Sequence, residues 1–172
     1  KGDNPVSSVK IPRADNKRLR FLTHTEAAEL LTALRARNKA IYGMVLLSLH
    51  SGLRAGEIRA LRWSDVDFER KTMTLRDTKS GRTRMAFLTA DGLSMLKEKD
   101  RESLEDFVFQ GKGGKMLAEI SRIFNQAVDN LGFNEGITDR RQKVVFHSLR
   151  HTYASWLVGI SGNFENSKLH VF

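Results

Sequence analysis

A short segment from Phe146 to Trp156 combines two histidines and an arginine with apolar residues at helical spacing. On a helix, His147 lies three positions before Arg150 and four before His151, so the three side chains leave one face and can reach one anion. A guanidinium offers a planar fork of donors that fits phosphate, and an imidazole can donate to a phosphate oxygen or carry a proton. The apolar residues expected to face the core are Phe146, Leu149, Ala154 and Leu157. The segment therefore indicates phosphate chemistry.

A second arginine segment lies 93 positions earlier and reads SGLRAGEIRALRW, from Ser51 to Trp63. Gly52 allows a tight turn before a new helix, and Arg54 stands at the start of that helix. Glu57, three residues later, can pair with Arg54 or with another neighbouring cation. Taken alone, this pair is also what an ordinary ion pair on a helix surface would look like.

Between these two segments, residues 72–88 have the pattern of a β-hairpin. Alternating residues lead from Thr72 into the turn Thr78-Lys79-Ser80-Gly81, and the chain returns to Leu88. Lys79 would stand at the tip, where it could reach into a site as a mobile cation or simply be solvated. The flanking cations predicted to contact DNA phosphates are Arg76, Arg82 and Arg84.

These features, in this order, resemble the catalytic domain of tyrosine recombinases of the phage integrase family, over about residues 4–158. The resemblance rests on the SGLR box with its glutamate, the hairpin lysine with an Arg-x-Arg return strand, and the HSLRHT run. It implies that two arginines clamp a phosphate, with a lysine and a histidine as the other catalytic groups. The catalytic residues implied are Arg54, Lys79, His147 and Arg150, and the supporting ones are Glu57 and His151.

The family resemblance also implies a tyrosine nucleophile, which would form a 3′-phosphotyrosyl intermediate without a metal or another cofactor. The chain contains two tyrosines, Tyr42 within an apolar run and Tyr153 three residues after Arg150. Tyr153 matches an aromatic position of the family's box, so we expect it to pack in the core. Residues 159–172 do not resemble the family's continuation. We therefore expect this chain to lack its nucleophile and to be inactive alone.

Other functions are consistent with the same residues. The chain could be a non-catalytic DNA-binding fragment or regulator, or an enzyme similar to type IB topoisomerases, which use the same kinds of residues but relax DNA. His147 and His151 could hold a metal, but no carboxylate lies between them as it does in a zincin helix, so no metal site is predicted.

Composition narrows the class of protein. The 172 residues are enough for one domain, and a net charge of +9 favours a polyanionic partner such as double-stranded DNA. The absence of cysteine excludes disulfides and thiolate metal sites, and is consistent with the cytoplasm of a bacterial or phage-infected cell. No apolar run approaches the roughly 20 residues of a membrane span. A cluster that would contact the DNA backbone, or be solvated, comprises Arg140, Arg141 and Lys143.

The predicted fold is α+β, mainly helical, with one small antiparallel sheet. Residues 1–20 are basic and contain two prolines, so they indicate a linker, which in the resembling family follows an N-terminal DNA-binding domain. Residues 21–158 would form the catalytic domain, and residues 159–172 an atypical tail. The resemblance also implies self-association on DNA in the intact protein, and we expect the fragment to be a monomer in solution.

The helix and strand boundaries follow from capping residues and hydrophobic periodicity. Thr23 or Thr25 can cap the first helix, and Glu26, three residues after Thr23, would complete a capping box with it. The predicted helices run from about 23 to 37, 41 to 49, 54 to 61, 89 to 99, 121 to 131 and 146 to 156. A short strand is predicted at residues 107–109, and loops at 111–115 and 132–143.

Overall fold

The computed structural model describes residues 20–76 and 83–162, with side chains as far as residue 159. The described residues form a mainly helical domain with one antiparallel sheet, as predicted. The helices are α1 (His24–Arg37), α2 (Lys39–Ser51), α3 (Ala55–Ala60), α4 (Ala90–Lys97), α5 (Ser121–Asn130) and α6 (Phe146–Gly162). The strands are β1 (Val66–Asp67), β2 (Thr72–Arg76) and β3 (Thr83–Phe87).

Helix α2 lies at the centre of the core. Its side chains are buried around most of its circumference, and Met44, Val45 and Leu47 have no exposed surface. Helices α1, α4 and α6 pack against it. Full burial of each such side chain stabilises the fold by about 1.5–3 kcal/mol, so α2 is held firmly in the core. The turn that follows α2 is therefore held in place as well.

Side-chain caps fix where the helices begin. The Thr23 hydroxyl accepts from the Glu26 backbone N–H at 3.1 Å, and the Glu26 carboxylate accepts from the Thr23 N–H at 2.8 Å. This is the predicted capping box. Asn38 accepts from the Ile41 N–H at the start of α2, and Thr89 accepts from the Gly92 N–H at the start of α4. Each cap satisfies a backbone donor that the helix itself leaves free.

The predicted hairpin is formed by β2 and β3, and β1 adds a short third strand on the other side of β2. Met73 lies opposite Ala86, and Leu75 lies opposite Arg84. Residues that face each other across an antiparallel pair point to the same side of the sheet. Arg84 therefore shares the side of Met73 and Leu75, which are buried in the core.

The turn that joins β2 to β3 falls at residues 77–82, outside the described residues. The predictions for Lys79 and Arg82 lie in this segment, and most of the predicted tail, residues 163–172, also lies outside the described residues.

Three predicted local features differ from the structure. Residues 107–109 do not form a strand, because Phe107 and Gln110 make only isolated bridges, with Arg62 and Met116. The third helix ends at Ala60, and Trp63–Asp65 form a separate 3-10 turn.

Helix α6 departs from its expected core face in its second half. Leu149 is fully buried, but Ala154 is exposed and Leu157 has 48% of its surface exposed. None of the helices within the described ranges is long and apolar enough to cross a membrane.

Candidate active site

Arg54 is positioned by the turn between α2 and α3. Gly52 caps α2 in the left-handed conformation, with φ 64° and ψ 27°, and its N–H donates to the Ser48 carbonyl at 3.1 Å. The chain then reverses, and Arg54 becomes the N-cap residue of α3 with an extended backbone. Its side chain is 52% exposed, so its guanidinium is available to an anion.

Arg150 on α6 is fastened to the same turn. Its Nη1 donates to the Gly52 carbonyl. The Tyr153 ring packs against Gly52 so closely that a β-carbon there would lie 2.7 Å from Tyr153 Cε1. Glycine at position 52 thus meets two demands, a positive φ and the close approach of an aromatic ring. The turn that presents Arg54 is also the surface on which α6 docks.

The first turns of α6 are held by buried hydroxyl groups. The Val145 N–H donates to the Ser148 hydroxyl at 3.1 Å, and the Thr152 hydroxyl donates to the Ser148 carbonyl at 2.9 Å. The Thr152 oxygen also accepts from the Leu22 N–H at 3.0 Å, which ties α6 to the segment before α1. Roles for Ser148 and Thr152 were not predicted from the sequence. Their spacing of four within a helical run is the signal that could have identified them.

Three of the predicted catalytic residues line one cavity of about 400 Å³, namely Arg54, His147 and Arg150. They come from α3 and α6, although they are 93 to 96 positions apart in the chain. Polar groups on the same walls are Ser48, Ser121 and Asn125. None of the three was predicted from the sequence, although Ser121 and Asn125 lie four apart on α5, which places them on one helix face. The cavity can hold an anion between two guanidiniums.

The charge of Arg150 is influenced by its neighbours. Burial lowers the pKa of its guanidinium, and the positive charges of Arg54 and Arg84 lower it further, while Glu57 and Tyr153 act in the opposite direction. An arginine remains protonated despite such a shift. The contributions of Arg54 and Arg84 show that other positive charges lie near Arg150, and a phosphate entering the cavity would offset their repulsion.

Glu57 pairs with both Arg54 and Arg84. Its carboxylate accepts from the Arg54 backbone N–H at 2.7 Å, from Arg54 Nη1 at 3.0 Å and from Arg84 Nη2 at 2.7 Å. Burial raises the pKa of Glu57, but these hydrogen bonds and the charge of Arg84 outweigh it and leave the pKa below its ordinary value. Glu57 is therefore a carboxylate shared by two arginines.

His151 lies beside His147, with the ring centres 4.8 Å apart and the planes nearly perpendicular at 86°. The edge of one ring meets the face of the other, so His151 can orient His147. Within the described ranges, His, Cys, Asp and Glu side chains do not form a group of three that could hold a metal ion.

The remaining DNA-binding candidates are spread over the surface. Arg76 lies 3.0 Å from the Asp65 carboxylate with a 70% exposed side chain. The Arg141 guanidinium pairs with the Asp139 carboxylate, and its hydrogen bonds lower the pKa of that carboxyl. Arg140 is exposed and Lys143 is half-buried. Neither these three loop residues nor Arg76 lines the cavity of Arg54 and Arg150.

Comparison with known proteins identifies the family of this chain. A sequence profile described as the phage integrase family matches residues 20–163 of this chain. The chain belongs to the phage integrase family. It is 27% identical over 165 residues to the tyrosine recombinase XerC of Xanthomonas campestris, a match that covers 93% of this chain and 49% of XerC. The chain spans 21–49% of the length of the first curated relatives it matches.

Solved structures show the same fold. The crystal structure of the XerA recombinase superposes with a TM-score of 0.67 at 22% identity, covering 95% of this chain and 57% of XerA. A λ integrase dimer bound to a COC′ core site has a TM-score of 0.67 at 19% identity, covering 94% of this chain and 47% of the integrase. The described domain therefore has the catalytic-domain fold of tyrosine recombinases.

Proposed function

We propose that this chain is the catalytic domain of a site-specific DNA recombinase that cleaves and rejoins double-stranded DNA through a 3′-phosphotyrosyl intermediate. The observation that carries the proposal is the cavity in which Arg54, His147 and Arg150 meet. Family membership supports it, as does the λ integrase dimer, which was solved on a DNA core site. By this proposal the cavity binds the phosphate at which the strand is cut.

In the proposed reaction, a tyrosine oxygen bonds to phosphorus and the bond from phosphorus to the 5′ oxygen breaks. Negative charge grows on the two non-bridging oxygens in the transition state. Arg54 and Arg150, which both line the cavity, would stabilise that charge. Removal of one such positioned donor typically slows a reaction by about 100- to 1,000-fold.

Proton transfer completes the step. The tyrosine would pass its proton to solvent, directly or through His147 as a proton carrier, and Lys79 would give one to the departing 5′ oxygen, with His147 also available as a hydrogen-bond donor. A 5′ hydroxyl of a second strand then attacks the phosphotyrosyl bond, releases the tyrosine and rejoins the DNA. Because the intermediate conserves the energy of the original phosphodiester, the proposed exchange requires no nucleotide cofactor.

The tyrosines of this chain support a narrower proposal for the polypeptide itself. The Tyr153 ring packs on Gly52, and Tyr42 on α2 is half-buried with the Arg35 guanidinium 5.7 Å from its ring centre. Both side chains serve packing, so neither attacks DNA in this proposal. The chain would then bind DNA without cleaving it, as a DNA-binding fragment would.

The proposed partner is double-stranded DNA, on which copies of the intact protein would associate, while the fragment alone would be a monomer. We place the protein in the cytoplasm, because its proposed substrate lies there in a bacterial or phage-infected cell. A chain without cysteine is compatible with that reducing compartment.

A nicked duplex that traps phosphotyrosyl links tests the narrower proposal. After incubation with this chain, a denaturing gel should show no protein-linked DNA, while a native gel shows a protein–DNA complex. A covalent band that disappears in Tyr153→Phe or Tyr42→Phe would overturn the assignment of that tyrosine to packing.

In a longer form of the protein that carries the family's tyrosine, Arg150→Ala should slow cleavage by about 100- to 1,000-fold because the clamp loses one donor. Duplex affinity should fall by less than tenfold, since many cations share the backbone contacts. Equal losses of cleavage and binding would contradict the proposed role of Arg150. Relaxation of supercoiled DNA without strand exchange between two sites would identify a topoisomerase instead.

A further inference from the structure

The ion pair between Glu57 and Arg84 joins two elements that are separate in the fold. Glu57 belongs to α3, whereas Arg84 belongs to β3 and stands on the side of the sheet that faces the core. Arg84 Nη2 lies 2.7 Å from Glu57 Oε2, and the side chains are 37% and 9% exposed. A charged pair with one almost buried member is more rigid than a pair on the open surface.

The same carboxylate also holds Arg54. Glu57 Oε2 accepts from both the Arg54 backbone N–H and Arg84, which leaves Oε1 for Arg54 Nη1. Arg84 therefore restricts the rotation of the carboxylate to the orientation in which Oε1 meets Arg54. The Arg54 side chain, half exposed to solvent, depends on that contact for its position.

Electrostatics connect Arg84 to the second clamping arginine as well. The pKa of Arg150 is lowered by burial first and then by the charges of Arg54 and Arg84. Arg84 and Arg150 also line a second cavity of about 230 Å³, which adjoins the first at Arg150. Two guanidiniums thus bind the Glu57 carboxylate and a third, that of Arg150, lies near enough to feel their charge, so positive charge is in excess and favours an anion.

We propose that Arg84 is a positioning residue of the phosphate site: through Glu57 it holds Arg54 ready to bind phosphate, and so couples β3 to the arginine clamp. The proposal rests on the function proposed above. Holding a long side chain in its bound orientation before the ligand arrives removes part of the entropy cost of binding. Loss of Arg84 would therefore weaken the contribution of Arg54 without removing Arg54 itself.

A double-mutant cycle on duplex binding tests this coupling. Arg84→Ala should weaken the affinity of this chain for a short duplex about three- to tenfold, but by less than twofold when Arg54→Ala is already present. The coupling between the two changes should vanish in a Glu57→Gln background, because the shared carboxylate is then gone. An Arg84 that simply binds its own phosphate would instead give additive losses.

Arg76→Ala is the matched control. Arg76 stands on the neighbouring strand β2 and pairs with Asp65 rather than with Glu57. The effects of Arg76→Ala and Arg54→Ala should therefore add. Arg84→Lys, which keeps the charge but loses the planar fork, should restore only part of the wild-type affinity.

Side-chain NMR gives a second readout in the free chain, which does not depend on DNA. The Arg54 Nε–Hε order parameter should fall in Arg84→Ala and stay unchanged in Arg76→Ala, with thermal unfolding showing that both variants are folded. Additive binding losses, or an unchanged Arg54 order parameter, overturn the inference. Absence of salt-sensitive duplex binding by the wild-type chain would instead overturn the proposed function.

Discussion

At the scale of the residue, the site is organised by one carboxylate among several cations. The Glu57 carboxylate accepts hydrogen bonds from the backbone N–H and the guanidinium of Arg54 and from the guanidinium of Arg84. Arg150 instead donates to the Gly52 carbonyl. The arginines are thus oriented without their charges being fully neutralised. A site that held each arginine in a separate ion pair would have less attraction left for a phosphate.

The lowered pKa of Glu57 predicts an acid-dependent loss of stability. Its folded-state pKa lies below the ordinary value of 4.5, so the ionised form stabilises the fold fully above that value. The contribution is lost as the pH falls through the lower, folded-state pKa. Glu57→Gln should lower the free energy of unfolding by about 1–3 kcal/mol at pH 7, because its hydrogen bonds to arginine weaken.

Urea unfolding at a series of pH values checks this prediction. The difference between wild type and Glu57→Gln should be constant above about pH 5.5 and shrink as the pH falls below 4.5. Glu29→Gln on the exposed side of α1 controls for the removal of a surface carboxylate. A difference that grows in acid would show that the ion pairs do not stabilise the ionised form.

At the scale of the element, the turn after α2 connects the helices that form the site. It ends α2 at Gly52, begins α3 at Arg54 and receives α6 through Arg150 and Tyr153. Since α2 is buried in the core, it also fixes the position of the turn. The same turn therefore positions both clamping arginines, although they belong to different helices.

Gly52→Ala should destabilise the protein by about 2–4 kcal/mol. The φ of 64° is unfavourable for alanine, and the new β-carbon would collide with the Tyr153 ring. Chemical unfolding measures the loss, and Tyr153→Ala should cost less in the Gly52→Ala background than in the wild type, because it also removes the collision. Gly56→Ala is the control, because a β-carbon at that position of α3 has no atom within 4 Å. That change should be neutral or stabilise the helix by up to about 1 kcal/mol.

The elements that the sequence predicted well are those specified by local chemistry. Thr23 with Glu26 is a start signal and Gly52 a stop signal, so the start of α1 and the end of α2 near Gly52 were predictable, whereas the start of α2 at its Asn38 cap was not predicted. The short β1 strand and the separate turn at Trp63–Asp65 depend on partners elsewhere in the chain, which local patterns do not specify. Leu157 was assigned to the core because of its helical spacing, but helix α6 is buried only over its first half.

At the scale of the whole molecule, the site depends on contacts between distant segments. That Arg54 and Arg150 share a cavity was predicted from a family resemblance, since no local pattern relates positions 96 residues apart. The contact of Arg84 with Glu57 was not predicted. It depends on the hairpin register that turns Arg84 toward the core, and register is set by the packed sheet rather than by spacing alone.

The net charge of +9 and the arginine cavity make separate contributions to DNA binding, and salt dependence can distinguish them. Each phosphate neutralised on duplex DNA contributes about −0.9 to the slope of log K against log salt, because counterions are released. Removing both clamping residues, in Arg54→Ala with Arg150→Ala, should make the slope shallower by about 1, because the two arginines bind the same phosphate.

The matched control for the salt slope is Arg70→Ala with Lys97→Ala, two exposed cations that do not line the cavity. This pair removes the same total charge, but the long-range attraction it reduces is largely screened beyond about 8 Å at physiological salt. Its slope should therefore change by less than about 0.5. Equal changes of slope in the two double variants would mean that net charge, not the cavity, dominates binding. A wild-type affinity that does not change from low to moderate salt would argue against a DNA partner altogether.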